Sequence, residues 1–368
     1  MKITTKVEKF TSPLYLESGR ILEPYELIYE TYGELNSDKS NVVIVTHALT
    51  GSHHAAGTYE GDRKAGWWDG MIGPSKPIDT DKFFVICVNV IGSCFGSTGP
   101  LSPKHPSSES YRLKFPVITV TDMVRAQRIL YDRLGIHKAL AIIGGSMGGM
   151  QALCFAIEHP NFASKHIILA STYATSPWAI AFNKVAREAV INDPLFKDGM
   201  YDPKEIKNSG LAGLSIGRMC GYISYLSPDT MEKKFARDYV STDGLYELFG
   251  RFEVERYLDY NGLNFVNWFD PLSFLYITKA INIFDARRNF DSLEDSLSEI
   301  KSNLTLISFS SDLLFLPCEM KTIHQTMCEI GKSKQSKYIE IESSYGHDAF
   351  LVEIDKFSHI VKEALKER

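Results

Sequence analysis

What the chain has little of narrows its function before any motif is read. Its 368 residues include six cysteines, at 87, 94, 154, 220, 318 and 328, and none forms a C-x-x-C pair. That is far below the density of a disulfide scaffold, so reduced thiols in a cytoplasmic protein are expected, with Cys154 a small core residue. Ten histidines are present, none in an H-E-x-x-H arrangement. His53 and His54 are adjacent, which suits a polar loop better than one helical ligand face, and no metal is expected. The longest apolar runs, such as 139–143, fall far short of the roughly 20 residues a membrane-spanning helix needs. Residues 1–20 alternate charge and apolarity, so no secretory signal is visible there. Nor is positive charge in excess: 40 Lys and Arg stand against 45 Asp and Glu, a net charge of −5. With no basic surplus to neutralise a phosphate backbone, nucleic-acid binding is not expected. The 44% of hydrophobic residues does suffice for a sizeable core, which excludes disorder.

In the first half of the chain, short β-rich runs alternate with helical patterns. Residues 25–31, 41–46, 83–90, 140–144 and 166–170 read as strands, being β-branched or aromatic-rich and bounded by turns. Residues 121–134 read as an amphipathic helix, with Thr121 as N-cap, Val124, Ile129 and Leu130 on one side, and Gly135 as the stop. A second helix is expected over 147–158. Buried strands alternating with helices imply an α/β fold, its mostly parallel sheet covered on both faces. After Thr175 the strand signals fade for about 120 residues. Ser176-Pro177, Ser227-Pro228 and Asp270-Pro271 each set a capping side chain before a proline, which costs nothing at the first helical position. Strands return at 304–309 and 337–341, and a helix closes the chain over 355–366. The expected organisation is a discontinuous core of 1–176 and 300–368, interrupted by a helical lid of 177–299.

The sharpest local feature is Gly144-Gly145-Ser146-Met147-Gly148, a G-x-S-x-G between an expected buried strand and an expected helix. A nucleophile elbow belongs there, because the serine adopts a strained backbone and the glycines let strand and helix pass closely. A serine hydroxyl attacks only with a base beside it and a carboxylate behind the base. Asp312 follows the strand 304–309, and His347 follows 337–341, so all three arise at carboxyl ends of parallel strands, in the order Ser, Asp, His. An oxyanion hole needs two donors. The Met147 N–H is one; the Leu49 N–H is the other choice, with the Thr50 hydroxyl nearby in Thr46-His47-Ala48-Leu49-Thr50-Gly51. This constellation supports acyl transfer through a serine, and does not separate hydrolysis from transfer to another hydroxyl or amine.

Several longer blocks carry a more specific resemblance. They are THALTGSHHAAG (46–57), GWWDGMIG (66–73), PIDTDKFFVICVNVIGSCFGSTGP (77–100), FPVITVTDMVRAQ (115–127), GGSMGGMQAL (144–153), SSDLLFLP (310–317) and YGHDAFL (345–351). Together they resemble the homoserine O-acyltransferase family of the α/β-hydrolase superfamily, in its acetyl-transferring form. The resemblance implies an α/β-hydrolase fold with a helical lid, Ser146 as nucleophile, Asp312 as orienting acid and His347 as base. It implies acetyl-CoA as co-substrate with no permanently bound cofactor, L-homoserine as acceptor, a step in methionine biosynthesis, and a homodimer formed through lid helices. Arg218 and Asp348 would hold the amino-acid acceptor, with Tyr225 a further candidate. A succinyl donor, a serine acceptor or plain ester hydrolysis are the alternatives within this superfamily. Two departures stand out: Ser75 replaces the glycine of a GPGKPID block, and Ser93-Cys94-Phe95 stands where a GCY is usual.

Overall fold

The alternating segments assemble into one twisted layer. The computed structural model describes residues 1–61, 64–105, 108–209 and 211–366. Its main sheet contains β1 (Ile3–Phe10), β2 (Tyr25–Tyr32), β3 (Val42–Thr46), β4 (Phe84–Val88), β5 (Ala139–Gly145), β6 (Ala163–Leu169), β7 (Asn303–Phe309) and β8 (Ser336–Ile341). They lie in the order β1-β2-β4-β3-β5-β6-β7-β8. Neighbours from β4 through to β8 are parallel, whereas β1 pairs with β2, and β2 with β4, antiparallel.

The period of two along each central strand builds two cores at once. Val42 and Ile44 of β3 enter one cluster with Val124 and Leu130 of α1 (Val120–Arg133) and Leu153 of α2 (Met147–Glu158). Val43 and Val45 enter the other, on the opposite face, with Trp68 and with residues of the closing helix that begins at Ile354. All five residues of β3 are buried, as a strand covered on both faces requires.

Between β6 and β7 the chain leaves the sheet and forms α3 (Pro177–Ile191), α4 (Pro203–Ser209), α5 (Ala212–Tyr225), α6 (Pro228–Phe235), α7 (Glu253–Val266), α8 (Pro271–Ile283) and α9 (Leu293–Ser298). The three Ser-Pro and Asp-Pro starts behave as their chemistry dictates. Ser176 accepts from the Ala179 N–H, Ser227 from Thr230 and Asp270 from Ser273, each with proline in the first turn. Helices α10 (Pro317–Glu329), α11 (Ala349–Val352) and α12 (Ile354–Lys366) complete the core.

Three details differ from the sequence reading. The cap of α1 is Thr119 rather than Thr121: its hydroxyl accepts from the Asp122 N–H while the Asp122 carboxylate accepts from the Thr119 N–H. This reciprocal pair starts the helix one residue earlier. Ile129, expected on the core side of that helix, is 40% exposed, while Val124 and Leu130 are buried. Strand β1 was unread because its Lys6, Glu8 and Lys9 lie on a largely exposed edge strand, where alternation of polarity is lost.

Ser75 has φ +61°, a left-handed conformation that favours glycine, and it is exposed. A side chain there costs roughly 1–2 kcal/mol of backbone strain, partly offset by the greater unfolded-state freedom glycine brings. Ser75→Gly is therefore expected to stabilise the fold by about 0.5–1 kcal/mol, raising the thermal midpoint by about 1–2 °C. An unchanged or lower midpoint in calorimetry would count against this account.

Candidate active site

The carboxyl ends of β5, β7 and β8 deliver the three candidate catalytic side chains to one point. Ser146 follows β5 and has φ +58° and ψ −126°, outside every region that a non-glycine residue occupies freely. Two backbone contacts pin it: its N–H donates to the Leu169 carbonyl at 3.0 Å, and its carbonyl accepts from the Ser171 hydroxyl at 2.9 Å. The glycines on either side are sterically required. A Cβ on Gly148 would come within 2.1 Å of the Thr46 carbonyl oxygen, and one on Gly144 within 2.6 Å of Gly148 backbone. Strand β3 thus runs directly under the turn, and the Thr46 hydroxyl donates to the Gly148 carbonyl at 2.8 Å.

His347 Nε2 is 2.9 Å from Ser146 Oγ, and His347 Nδ1 is 2.8 Å from Asp312 Oδ2. The other Asp312 oxygen accepts from the N–H groups of Leu314 and Phe315 at 2.9 and 3.0 Å. The carboxylate is only an acceptor, so the imidazole carries its proton on Nδ1 and presents a lone pair on Nε2 to the serine hydroxyl. All three residues are buried. The rings of Phe315, Phe350 and Tyr225, with centroids 5.2, 5.7 and 5.9 Å away, pack around the imidazole and fix its plane. Burial works against charge on His347. The Asp312 charge and hydrogen bond, with Asp348 adding, nevertheless hold its pKa above the ordinary histidine value. A base of this kind accepts the serine proton and returns it to a leaving group.

Ser146 and His347 open into a pocket of about 800 Å³, including its open mouth. Leu49 and Thr50 line one wall, Leu314 another, and α3 and α5 roof it with Phe182, Arg218 and Tyr225. Neither the Leu49 N–H nor the Met147 N–H has an acceptor among the described residues. Both are therefore available to an oxyanion, and the Met147 N–H belongs to the first turn of α2, where the helix dipole adds to it. Arg218 lies 4.6 Å from the Tyr222 ring, 4.9 Å from Phe265 and 5.4 Å from Tyr225. Among the described residues it makes no ion pair. Asp348 follows the base directly, and its N–H donates to the Tyr225 carbonyl at 3.2 Å, tying the end of α5 to the histidine loop. All nine residues singled out from the sequence thus fall in or beside one cavity.

Sequence reasoning missed the polar supports of the Thr46–Gly57 loop. Glu30 on β2 is fully buried and accepts from Tyr32, Tyr59, Thr5 and the His54 Nδ1–H. The Tyr32 hydroxyl in turn accepts the Ala55 N–H at 2.7 Å. His54 lies in a loop, as its adjacency to His53 suggests, and is engaged there with a buried carboxylate. An acidic residue in an aromatic-rich strand was the one available signal, and Glu26 on the same strand shares it.

Comparison with known proteins agrees with this fold. A family model described as alpha/beta hydrolase fold matches residues 41–353. A homoserine O-acetyltransferase of Sulfurimonas autotrophica is 64% identical over 365 residues, covering 99% of each chain. The chain belongs to the homoserine O-acetyltransferase family. The crystal structure of a family member from Bacillus anthracis superposes with a TM-score of 0.91 at 28% identity, covering 100% of this chain and 99% of that one. Esterase E22 superposes at 0.89 and 27% identity over 99% and 100% of the two chains. The same scaffold is thus found in a protein named an acetyltransferase and in one named an esterase.

A base must be neutral to accept the serine proton, so His347 in that role requires a pH above its pKa. The Asp348 charge is one of the groups raising that pKa. Asp348→Asn is expected to move the acidic limb of Ser146 acylation, followed with p-nitrophenyl acetate, to lower pH. A limb that stays or moves up would refute the coupling.

Proposed function

We propose that the chain transfers the acetyl group of acetyl-CoA to the hydroxyl of L-homoserine in two steps, a reaction of methionine biosynthesis. The single observation that carries this reading is the unbroken Ser146–His347–Asp312 hydrogen-bond line opening beneath Arg218 and Asp348. His347 takes the Ser146 proton as Oγ attacks the thioester carbonyl. The Leu49 and Met147 N–H groups receive the negative oxygen. Collapse expels CoA as a thiol, protonated by His347, and leaves acetyl-Ser146. The homoserine hydroxyl then gives its proton to His347 and attacks the acyl-serine. The second tetrahedral intermediate returns Ser146 and releases O-acetyl-L-homoserine, so protons and acetyl groups balance over the cycle.

Arg218 offers a planar fork to the acceptor carboxylate. Asp348 accepts from its ammonium, with Tyr225 and Thr50 completing the acceptor wall. Residues 177–299 act as the lid on a core of 1–176 and 300–368. The reading includes a cytoplasmic location, supported by six free thiols. No helix of the described residues is long and apolar enough to cross a membrane. Neither nucleic acid nor membrane is a partner in this scheme.

A homodimer through the lid is part of the same proposal. Trp178 and Val185 on α3 are 53% and 58% exposed, and Ile216 and Ile223 on α5 are each 48% exposed. Both pairs are spaced by seven residues, two turns, so each helix shows water an apolar stripe. Sedimentation equilibrium should find twice the chain mass, reduced to the monomer by Val185→Asp with Ile223→Asp. A wild-type monomer at micromolar concentration refutes this assembly.

Thiol release from acetyl-CoA with and without homoserine tests the chemistry. Wild type should release thiol continuously only with homoserine present, and Ser146→Ala should lose about 10³-fold or more in rate. Continuous release at full rate without any acceptor identifies a hydrolase instead, and a product from succinyl-CoA in preference to acetyl-CoA changes the donor. Arg218→Lys should raise the homoserine KM about tenfold or more while leaving the acylation step within twofold. Equal damage to both steps would make Arg218 a lid support.

A further inference from the structure

Helix α2 is apolar almost throughout, yet Gln151 is fully buried within it. Burying an amide costs free energy unless its donors and acceptor are all engaged. Here they are. Gln151 Nε2 donates to the His47 carbonyl at 3.0 Å and lies 3.4 Å from the Met147 carbonyl. Gln151 Oε1 accepts from Gln127 Nε2 at 2.8 Å, and Gln127 Oε1 accepts from the Tyr131 hydroxyl at 3.2 Å. Gln127 and Tyr131, both on α1, are buried too. Two carbonyl oxygens can only accept, so the amide end facing them is the NH₂, and every donor along the line then points the same way.

The two carbonyls that share this NH₂ belong to the two halves of the candidate oxyanion hole. His47 is two residues before Leu49, and Met147 supplies the second N–H itself. The His47 side chain fixes the loop from its other side. Its Nε2 accepts the Val90 N–H at 3.0 Å and its Nδ1 bonds the Ala48 carbonyl at 2.8 Å. Burial keeps the imidazole neutral, its pKa pushed down to about 4.

We propose that Gln151 is a positioning residue that sets the separation of the Leu49 and Met147 N–H groups by clamping the His47 and Met147 carbonyls to one amide. The proposal rests on the oxyanion-hole reading given above. Gln151 touches no reacting atom; it holds the donor loop at its distance from α2, anchored through Gln127 and Tyr131 on α1. A methyl-terminated side chain of equal length would fill the same space and leave the loop free to shift.

Gln151→Met tests this in the full-length protein. It should lower kcat for acetyl transfer about 10- to 100-fold, because misplaced donors lose much of their transition-state contribution, with the homoserine KM unchanged within twofold. Methylboronic acid supplies the readout a structural role would not move. Ser146 Oγ adds to its boron, His347 takes the hydroxyl proton, and one boron oxygen of the tetrahedral anion enters the hole. Its affinity should fall by the same factor as kcat. Lost kcat with undiminished boronate affinity, or no loss of either, overturns the clamp. Equal boronate affinity in Ser146→Ala places the fault in the oxyanion-hole reading instead. Gln151→Glu retains the volume and decides the matter should the methionine variant fail to fold. A protonated acid still donates to the His47 carbonyl, whereas the ionised form repels both carbonyls. Its activity relative to wild type should therefore fall as pH rises, and a flat ratio overturns the proposal.

Discussion

The structure depends on one backbone angle, the positive φ of Ser146. A non-glycine residue in that conformation costs roughly 1–3 kcal/mol and persists only where its surroundings leave no alternative. Those surroundings are specific. The Leu169 carbonyl holds the Ser146 N–H and the Ser171 hydroxyl holds its carbonyl. The Thr46 carbonyl lies so near Gly148 that no side chain fits between them. The strain has a geometric return: it lifts Oγ clear of the sheet toward His347 while pointing the first N–H groups of α2 at the same space. The order β3-β5-β6 follows from this need, since the strands flanking β5 supply the atoms that grip the turn.

From that point outward, polar groups are arranged in layers of decreasing tolerance. The triad itself is closed, with Asp312 saturated by one imidazole and two backbone donors. Next comes the Thr46–Gly57 loop, braced near its start by His47 and Gln151 and at its end by Tyr32 and Glu30. Burial penalises the Glu30 charge, but four side-chain donors more than compensate, and its pKa is lowered. A loop fixed by buried charge and buried amides holds its N–H groups in place without help from substrate, which is what electrostatic preorganisation requires.

How much of this could be read in the sequence follows from how local each signal is. The elbow was legible because strand, glycines, serine and helix are contiguous, and the three proline starts because each cap lies beside its proline. Asp312 and His347 were legible through chain order and strand ends. Helix α10 was not, for its N-cap is Leu316, whose side chain makes no capping bond. Strand β1 was not, because only its partner across the sheet reveals it as a strand. Gln151 and Glu30 fall between: each is a polar residue buried in a largely apolar stretch, but the groups they satisfy lie as much as 104 and 29 residues away. Arg218 was found only through the family resemblance, since the three rings that surround it come from two helices.

Those rings bear on why the pocket would favour an amino acid over water. Tyr222, Tyr225 and Phe265 give the guanidinium partial electrostatic compensation without neutralising it. Burial raises the Asp348 pKa, while His347 and Arg218 draw it down. Arg218 and Asp348 thus both line the cavity, and neither makes an ion pair among the described residues. In the reaction proposed above, a zwitterionic acceptor would meet both at once, its carboxylate on Arg218 and its ammonium on Asp348, and would take the place of water beside the acyl-serine. On that proposal, discrimination between transfer and hydrolysis needs no change in the triad, in keeping with one scaffold being shared by a homoserine O-acetyltransferase and an esterase.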